Sequence, residues 1–209
     1  DESVVIPGDI FDYLSSEGAS TAGFSAYESV TYRDLLYGAL LSSGAECCLT
    51  LSSYLGGSEE MYVQMMNEKA VELEMNNTHF TNSIGLHNYN HYSTAEDIAK
   101  LLIYALDNEE FREIFTSQSY YTETDYQPYG ITLSSTMFSE LDSEYFTGGV
   151  FLGGKTGYTS EAGNCLASLA RVNGKEYILI TTGAESSDYM GSLRIADAVN
   201  IYETLAKNT

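Results

Sequence analysis

Apolar residues along this chain recur every three to four positions as far as about residue 117, and from Tyr120 onward they recur at every second position. The first period predicts helices and the second predicts strands. Residues 3 to 6 (Ser-Val-Val-Ile) read as extended and stop at Pro7-Gly8, after which Ile10, Phe11 and Leu14 mark one short helical turn. Residues 17 to 23 are small and loop-like. Thr31 and Asp34 form a capping box that opens a helix with Leu35, Leu36, Ala39 and Leu40 on its inner face, ending near Ser42-Ser43-Gly44. A second helix runs from Glu46 to Leu55, with Cys47, Cys48, Leu51 and Leu55 in one stripe and Gly56-Gly57 as its stop. Ser58 caps a third, whose Met61, Val63, Met65, Met66, Ala70 and Leu73 read as a core stripe.

Residues 76 to 92 are polar and loop-like. Ser93 and Glu96 suggest another capping box, leading into a helix with Ile98, Leu101, Leu102 and Ala105 inside, and Asn108 starts a short helix ending near Phe115. Tyrosines and threonines then alternate to Tyr126, a turn follows at Pro128-Tyr129-Gly130, and residues 131 to 133 are extended. Asn173-Gly174 joins strands 165–171 and 176–182 as a hairpin. A closing helix covers about Ser192 to Ala206, with Ile195, Val199, Tyr202 and Leu205 on one face. Extended start, helical middle, sheet and closing helix make an α+β arrangement. One domain is expected, with a helical subdomain at about 31–117 and the sheet plus closing helix at about 118–209.

Composition narrows the function. With 44% apolar and 12% aromatic residues, 18 of them tyrosine and none tryptophan, 209 residues suffice for a real core. Nine Lys and Arg against 30 Asp and Glu give a net charge of −21, which repels polyanions, so no nucleic-acid partner is expected. Any anion must be held by a few placed cations, and the candidates are Lys155, Arg33, Arg112, Arg171 and Arg194. No run of eighteen apolar residues occurs, and the first residues lack the basic start and apolar core of a signal peptide, so a soluble chain without an address is expected. Cys47, Cys48 and Cys165 are odd in number and lack metal spacing, and buried thiols are expected.

The densest chemistry lies in residues 153–160, Gly-Gly-Lys-Thr-Gly-Tyr-Thr-Ser. Glycines that admit another chain, an ammonium and a hydroxyl suit an edge strand that grips an anionic substrate. A glycine-rich hairpin with a solvated lysine is the plainer alternative. Residues 149–156 also satisfy the phosphate-loop pattern, but an apolar strand follows instead of the helix whose N-terminus would hold phosphates, so a nucleotide is not expected. His87 and His91 have zinc spacing only on a helix. Asn88-Tyr89-Asn90 between them predicts a turn, so these histidines, with His79, read as structural and no metal is expected.

Three separated runs carry a resemblance: residues 33–38 with Ser42-Ser43-Gly44, residues 75–95, and Lys155 to Gly163. Together they resemble the serine-type D-alanyl-D-alanine carboxypeptidases, which are low-molecular-weight penicillin-binding proteins, over about residues 4 to 205. The resemblance implies a penicillin-binding-protein and β-lactamase-like transpeptidase fold. It also implies attack by a serine on the terminal D-Ala–D-Ala bond of a peptidoglycan stem peptide through an acyl-enzyme, reaction with β-lactam antibiotics, no cofactor, and an extracytoplasmic location. Lys155 and Thr156 would bind the substrate carboxylate, Gly157 would let the strand lie along the peptide, and the Tyr158 N–H would be an oxyanion donor. Lys155 and Ser43, the serine of the family's Ser-x-Asn motif, would take part in catalysis.

Two departures stand out. Ala45 occupies the asparagine position of that motif. The residues three before each lysine are Met66, Asp97, Leu152, Val172 and Thr204, so Ser-x-x-Lys occurs nowhere. The expectation is a catalytic domain whose nucleophile helix and first strands are absent, inactive as it stands, with a sheet edge open to that missing segment or to a second copy. The alternative is a noncatalytic module that binds cell-wall peptide or penicillin, with a β-lactamase behind it.

Overall fold

The structure is a computed structural model that describes residues 2–185 and 193–209. The elements run β1 (Ser3–Val5), α1 (Ile10–Glu17), β2 (Ser29–Thr31), α2 (Tyr32–Leu41), α3 (Ala45–Gly56), α4 (Glu59–Glu72), α5 (Ala95–Leu106) and α6 (Glu109–Thr116). They continue with β3 (Ser119–Thr122), β4 (Ile131–Ser134), α7 (Thr136–Ser139), β5 (Tyr145–Phe146), β6 (Gly149–Thr159), β7 (Gly163–Val172), β8 (Lys175–Ala184) and α8 (Leu193–Asn208). The Ser192 start expected for the last helix lies outside the described residues.

The main sheet is antiparallel in the order β5-β6-β7-β8, and two small ribbons, β1-β2 and β3-β4, stand apart from it. Two helical layers cover the sheet. On one face Leu102, Leu106 and Phe115 from α5 and α6 pack on Leu169. On the other, Ile195, Ala198 and Tyr202 of α8 pack on Phe151, Leu166 and Ala170. A separate core formed by Leu35, Leu41, Cys47, Leu51 and Ile114 joins α2, α3 and α6 to the two ribbons. No helix among the described residues is long and apolar enough to cross a membrane.

Local chemistry sets the joints. Thr31 and Asp34 make both bonds of the capping box that starts α2. Asn173 and Gly174 have φ of 48° and 82°, the left-handed pair that a two-residue hairpin needs between β7 and β8. Elsewhere tertiary context moves the boundaries. β2 is not visible in the hydrophobic pattern, because three residues are too few to show a period and its strand identity comes from pairing with β1. α5 is capped by Thr94, which accepts from the Asp97 N–H, one residue beyond the expected Ser93 box.

The methionine stripe of α4 is core only in part. Ala70 is buried and Val63, Met66 and Leu73 are half-buried, while Met61 and Met65 are about half exposed. The helix packs on α3 at the surface, so the side with Val63, Met66, Ala70 and Leu73 is covered and the flank with Met61 and Met65 is open. In α3, Leu55 is exposed and Glu46 is buried, which shifts the expected stripe. On α2 the buried side includes Leu35, Tyr37 and Leu41, whereas Leu36, Ala39 and Leu40 are only partly covered. The thiols also differ from expectation, since Cys47 is buried but Cys48 and Cys165 are half-buried; all three are free.

Candidate functional site

β6 carries the residues that the sequence singled out. A side chain at Gly153 would place its Cβ 2.3 Å from the Phe115 carbonyl oxygen, and one at Gly154 would lie 2.2 Å from Met137 Sδ. The strand is therefore clamped between the end of α6 and α7 by contacts that only glycine permits. A Cβ at Gly157 would meet only Cys165 Cβ at 4.0 Å, so the protein leaves that side of the strand open.

Lys155 projects from this clamped strand toward the end of α2. Its Nζ donates to Ser43 Oγ in a very short contact and to its neighbour's carbonyl, Thr156 O, at 2.6 Å. Ser43 sits at φ 54°, a left-handed conformation uncommon for serine, just after α2 ends. The turn is tied down by main-chain bonds from Gly44 N to Gly38 O at 3.0 Å and from Ala45 N to Ser20 O at 2.9 Å. The structure thus brings together Ser43 and Lys155, which stand 112 residues apart. The Thr156 hydroxyl bonds to Thr136 Oγ1 at 2.7 Å, and Tyr158, opposite Asn164 in the β6–β7 register, has a largely exposed ring. Ala45, expected at the asparagine position, puts its methyl group into the small apolar cluster of Leu14 and Leu49.

Burial lowers the Lys155 pKa to about 8, with the Arg194 charge acting in the same direction and Cys48 opposing both. An ammonium that is costly to hold charged gains most from an anionic ligand. Beside it, burial pushes the Cys48 thiol up to about 11, so it is not poised as a thiolate. Arg194 donates to the Gly157 carbonyl at 3.1 Å while Glu140 grips its guanidinium through two bonds. Arg33, Arg112 and Arg171 lie elsewhere, paired with Glu110, Glu113 and Glu176.

A cavity of about 620 Å³ opens beside β6, lined by Lys155, Thr156 and Gly157 on the strand, by β7 and β8, and by the loop and helix start around residues 80–98. That loop is held by polar side chains. Asn67 accepts from Phe80 N at 2.9 Å and donates to its carbonyl at 2.8 Å, and Glu59 receives Ser83 N and Oγ, both at 2.9 Å. The histidines serve different tasks: His79 Nδ1 donates to Asn90 O at 2.6 Å, and His91 Nδ1 accepts from Thr81 N at 3.2 Å. His87 Nδ1 lies 3.9 Å from Glu161 Oε2 across the cavity mouth. No group of three or more metal-ligating acids, histidines or cysteines occurs among the described residues.

The sequence did not single out Thr136, Glu140, Glu46 or Glu161, whose places depend on tertiary packing. Glu46, directly after Ala45, is fully buried and accepts from Ala22 N at 2.7 Å and Gly23 N at 3.1 Å. Burial raises its pKa, and its second carboxylate oxygen has no hydrogen-bond partner among the described residues. An acid in a mostly apolar helix stripe was the available signal.

Ser43 and the half-buried Lys155 thus meet where the helical region faces the part of β6 that lies beyond its short pairing with β5. Comparison with known proteins gives the family: D-alanyl-D-alanine carboxypeptidase matches residues 5–186, and the chain belongs to it. It is 31% identical over 176 residues to D-alanyl-D-alanine carboxypeptidase DacF of Bacillus subtilis (strain 168), covering 84% of this chain and 43% of that relative. It is also 31% identical over 190 residues to D-alanyl-D-alanine carboxypeptidase of Streptomyces sp. (strain K15), covering 85% of this chain and 63% of that protein. The chain thus spans about half the length of these relatives. The crystal structure of the Streptomyces K15 DD-transpeptidase superposes with a TM-score of 0.80 at 27% identity, over 98% of this chain and 79% of that one. The fold is therefore the DD-transpeptidase fold.

Proposed function

We propose that these residues form the carboxylate-binding half of a serine-type D-alanyl-D-alanine carboxypeptidase that trims the terminal D-Ala of peptidoglycan stem peptides outside the cytoplasmic membrane and is recognised by β-lactams. The observation that carries this reading is the Lys155 ammonium. It is half-buried on the stretch of β6 beyond its short pairing with β5, touches Ser43 and faces a peptide-sized cavity.

In this reading the C-terminal carboxylate of the peptide sits on Lys155 and the Thr156 hydroxyl, and its backbone lies along the open side of Gly157. Tyr158 N–H helps to receive the oxyanion, while Lys155 and Ser43 pass the proton between nucleophile and leaving amine. The acyl-forming serine is not among these residues, since none stands three before a lysine. These 209 residues alone should therefore bind without turnover. The outer edge of β8 is unpaired among the described residues and is where a further strand, from the same protein or a second copy, would add.

The absent motif, together with the apolar packing of Ala45, favours a second reading as a noncatalytic binding module for the same peptides. Intact-mass spectrometry after incubation with a penicillin separates the two. It is applied to the 209-residue chain and to a version extended at its N-terminus from the source DNA. An adduct on the extended form alone is expected for the carboxypeptidase, and adducts on neither leave the binding module. An adduct on the short chain would overturn the claim that it lacks a nucleophile.

A further inference from the structure

Among the described residues, Ser43 is the one serine or threonine whose hydroxyl is bonded to a lysine, and it meets Lys155 across 112 residues of chain. The pair is fixed from both sides. Ser43 stands in a left-handed conformation, φ 54°, on the turn between α2 and α3, which is tied by main-chain bonds from Gly44 N to Gly38 O and from Ala45 N to Ser20 O. Lys155 is held by the β6–β7 ladder, opposite Ala167. A hydroxyl kept in an uncommon backbone conformation against an amine is the arrangement of an activated nucleophile.

The amine has two states to offer. Burial brings its pKa down to about 8, Arg194 of α8 acts in the same direction, and Cys48 of α3 opposes both. The other titratable groups lining the cavity that Lys155 faces are His87, His91, Tyr92, Glu161 and Cys165. Below its pKa Lys155 is an ammonium that holds a carboxylate. Above it, the neutral amine is a base within reach of the Ser43 proton.

We propose that Ser43 and Lys155 form a serine–lysine dyad that takes an acyl group from neutral, activated esters, an activity separate from the cutting of D-Ala-D-Ala peptides. Lys155 Nζ takes the Ser43 proton as Oγ adds to the ester carbonyl carbon. The carbonyl then re-forms, the bond from carbon to the aryl oxygen breaks, and the phenolate leaves. An acyl ester remains on Ser43, and Lys155 releases its proton to water. A ligand whose carboxylate sits on Lys155 keeps the ammonium charged and so removes the base. Peptide and penicillin therefore bind without reacting at Ser43, whereas an uncharged ester reacts. That contrast rests on the assignment of the peptide carboxylate to Lys155; the dyad itself does not.

The probe is p-nitrophenyl acetate on the 209-residue chain, read by peptide mapping with and without hydroxylamine, which cleaves esters and spares the amides formed on lysines. One hydroxylamine-labile acetyl group on Ser43 is expected, forming at least about tenfold faster at roughly pH 9.5 than at roughly pH 6.5. Lys155→Met, which keeps Ser43, should slow its formation about 100-fold, the share of a general base. An acetyl group found only as an amide, or spread evenly over other hydroxyls, overturns the dyad. So does labelling of Ser43 that survives Lys155→Met. Excess diacetyl-Lys-D-Ala-D-Ala should slow the labelling near neutral pH, and a failure to do so overturns the carboxylate assignment while the dyad stands.

Discussion

The two walls of the cleft are built by different means. The β6 wall is main chain: it is laddered to β7 over its length and clamped where Gly153 and Gly154 touch α6 and α7. The opposite wall, residues 80–93, has little regular structure and is held by Asn67, Glu59, Asn82, His79 and His91 through side-chain hydrogen bonds. A wall fixed by backbone holds a shared group such as a carboxylate in one place. A wall fixed by a few side chains can change residue by residue, and ligand preference can vary there without disturbing the strand.

The sharpest way to break this contrast is Lys155→Met. Removing a partly buried cation from its carboxylate should weaken D-Ala-D-Ala peptide binding at least ~30-fold, equivalent to about 2 kcal/mol, with the far-UV circular dichroism unchanged. The unaltered chain makes the same point through pH. Burial lowers the Lys155 pKa to about 8, so peptide affinity should be highest below that value and fall as pH rises through it. The sign for stability is opposite. The unfolded chain holds this proton more tightly, so the Lys155 contribution to stability rises with pH between about 8 and the ordinary lysine value. A flat binding profile between roughly pH 6.5 and 9.5, which brackets that pKa, would remove Lys155 from the site.

Next in size is the clamp itself. Gly153→Ala drives a methyl into the Phe115 carbonyl, which is backbone and cannot swing away, and should cost about 1–3 kcal/mol in urea unfolding. A neutral result would mean that β6 is not clamped. Asn67→Ala removes both bonds to Phe80 on the loop wall and should cost about 1 kcal/mol, with faster amide exchange confined to residues 79–93. Exchange that spreads into β6 would erase the distinction between the walls. Met65→Gln on the exposed flank of α4 should change stability by less than about 0.5 kcal/mol, and a larger loss would place Met65 with the covered part of that stripe.

The same division explains what could be read from the sequence. Hairpin, caps and helical periods are local, so α2, α6, the β7–β8 turn and the alternating strands were legible from Thr31, Asn108 and Asn173-Gly174. Lys155, Thr156 and Gly157 were legible because glycine, cation and hydroxyl are concentrated in one stretch. The direction of the α4 stripe was not, since periodicity reports a face without saying what covers it. Glu140, Thr136 and Glu161 became visible only when distant segments met, because an acid or a threonine in an acidic chain carries no local signature.

Glu28 offers a different kind of lesson. It is fully buried, accepts from Ser25 N at 2.6 Å and is gripped by the Thr124 hydroxyl and the Gln127 amide, residues 96 and 99 positions further on. Such a clasp closes a loop containing nearly half the chain and pays its closure entropy in one step. The short-range pieces within that loop, α2 through α6, need no such closure and can form earlier. On that ordering the Glu28 clasp to residues 124 and 127 is expected to close after the helices between them, as a late lock in folding rather than a seed.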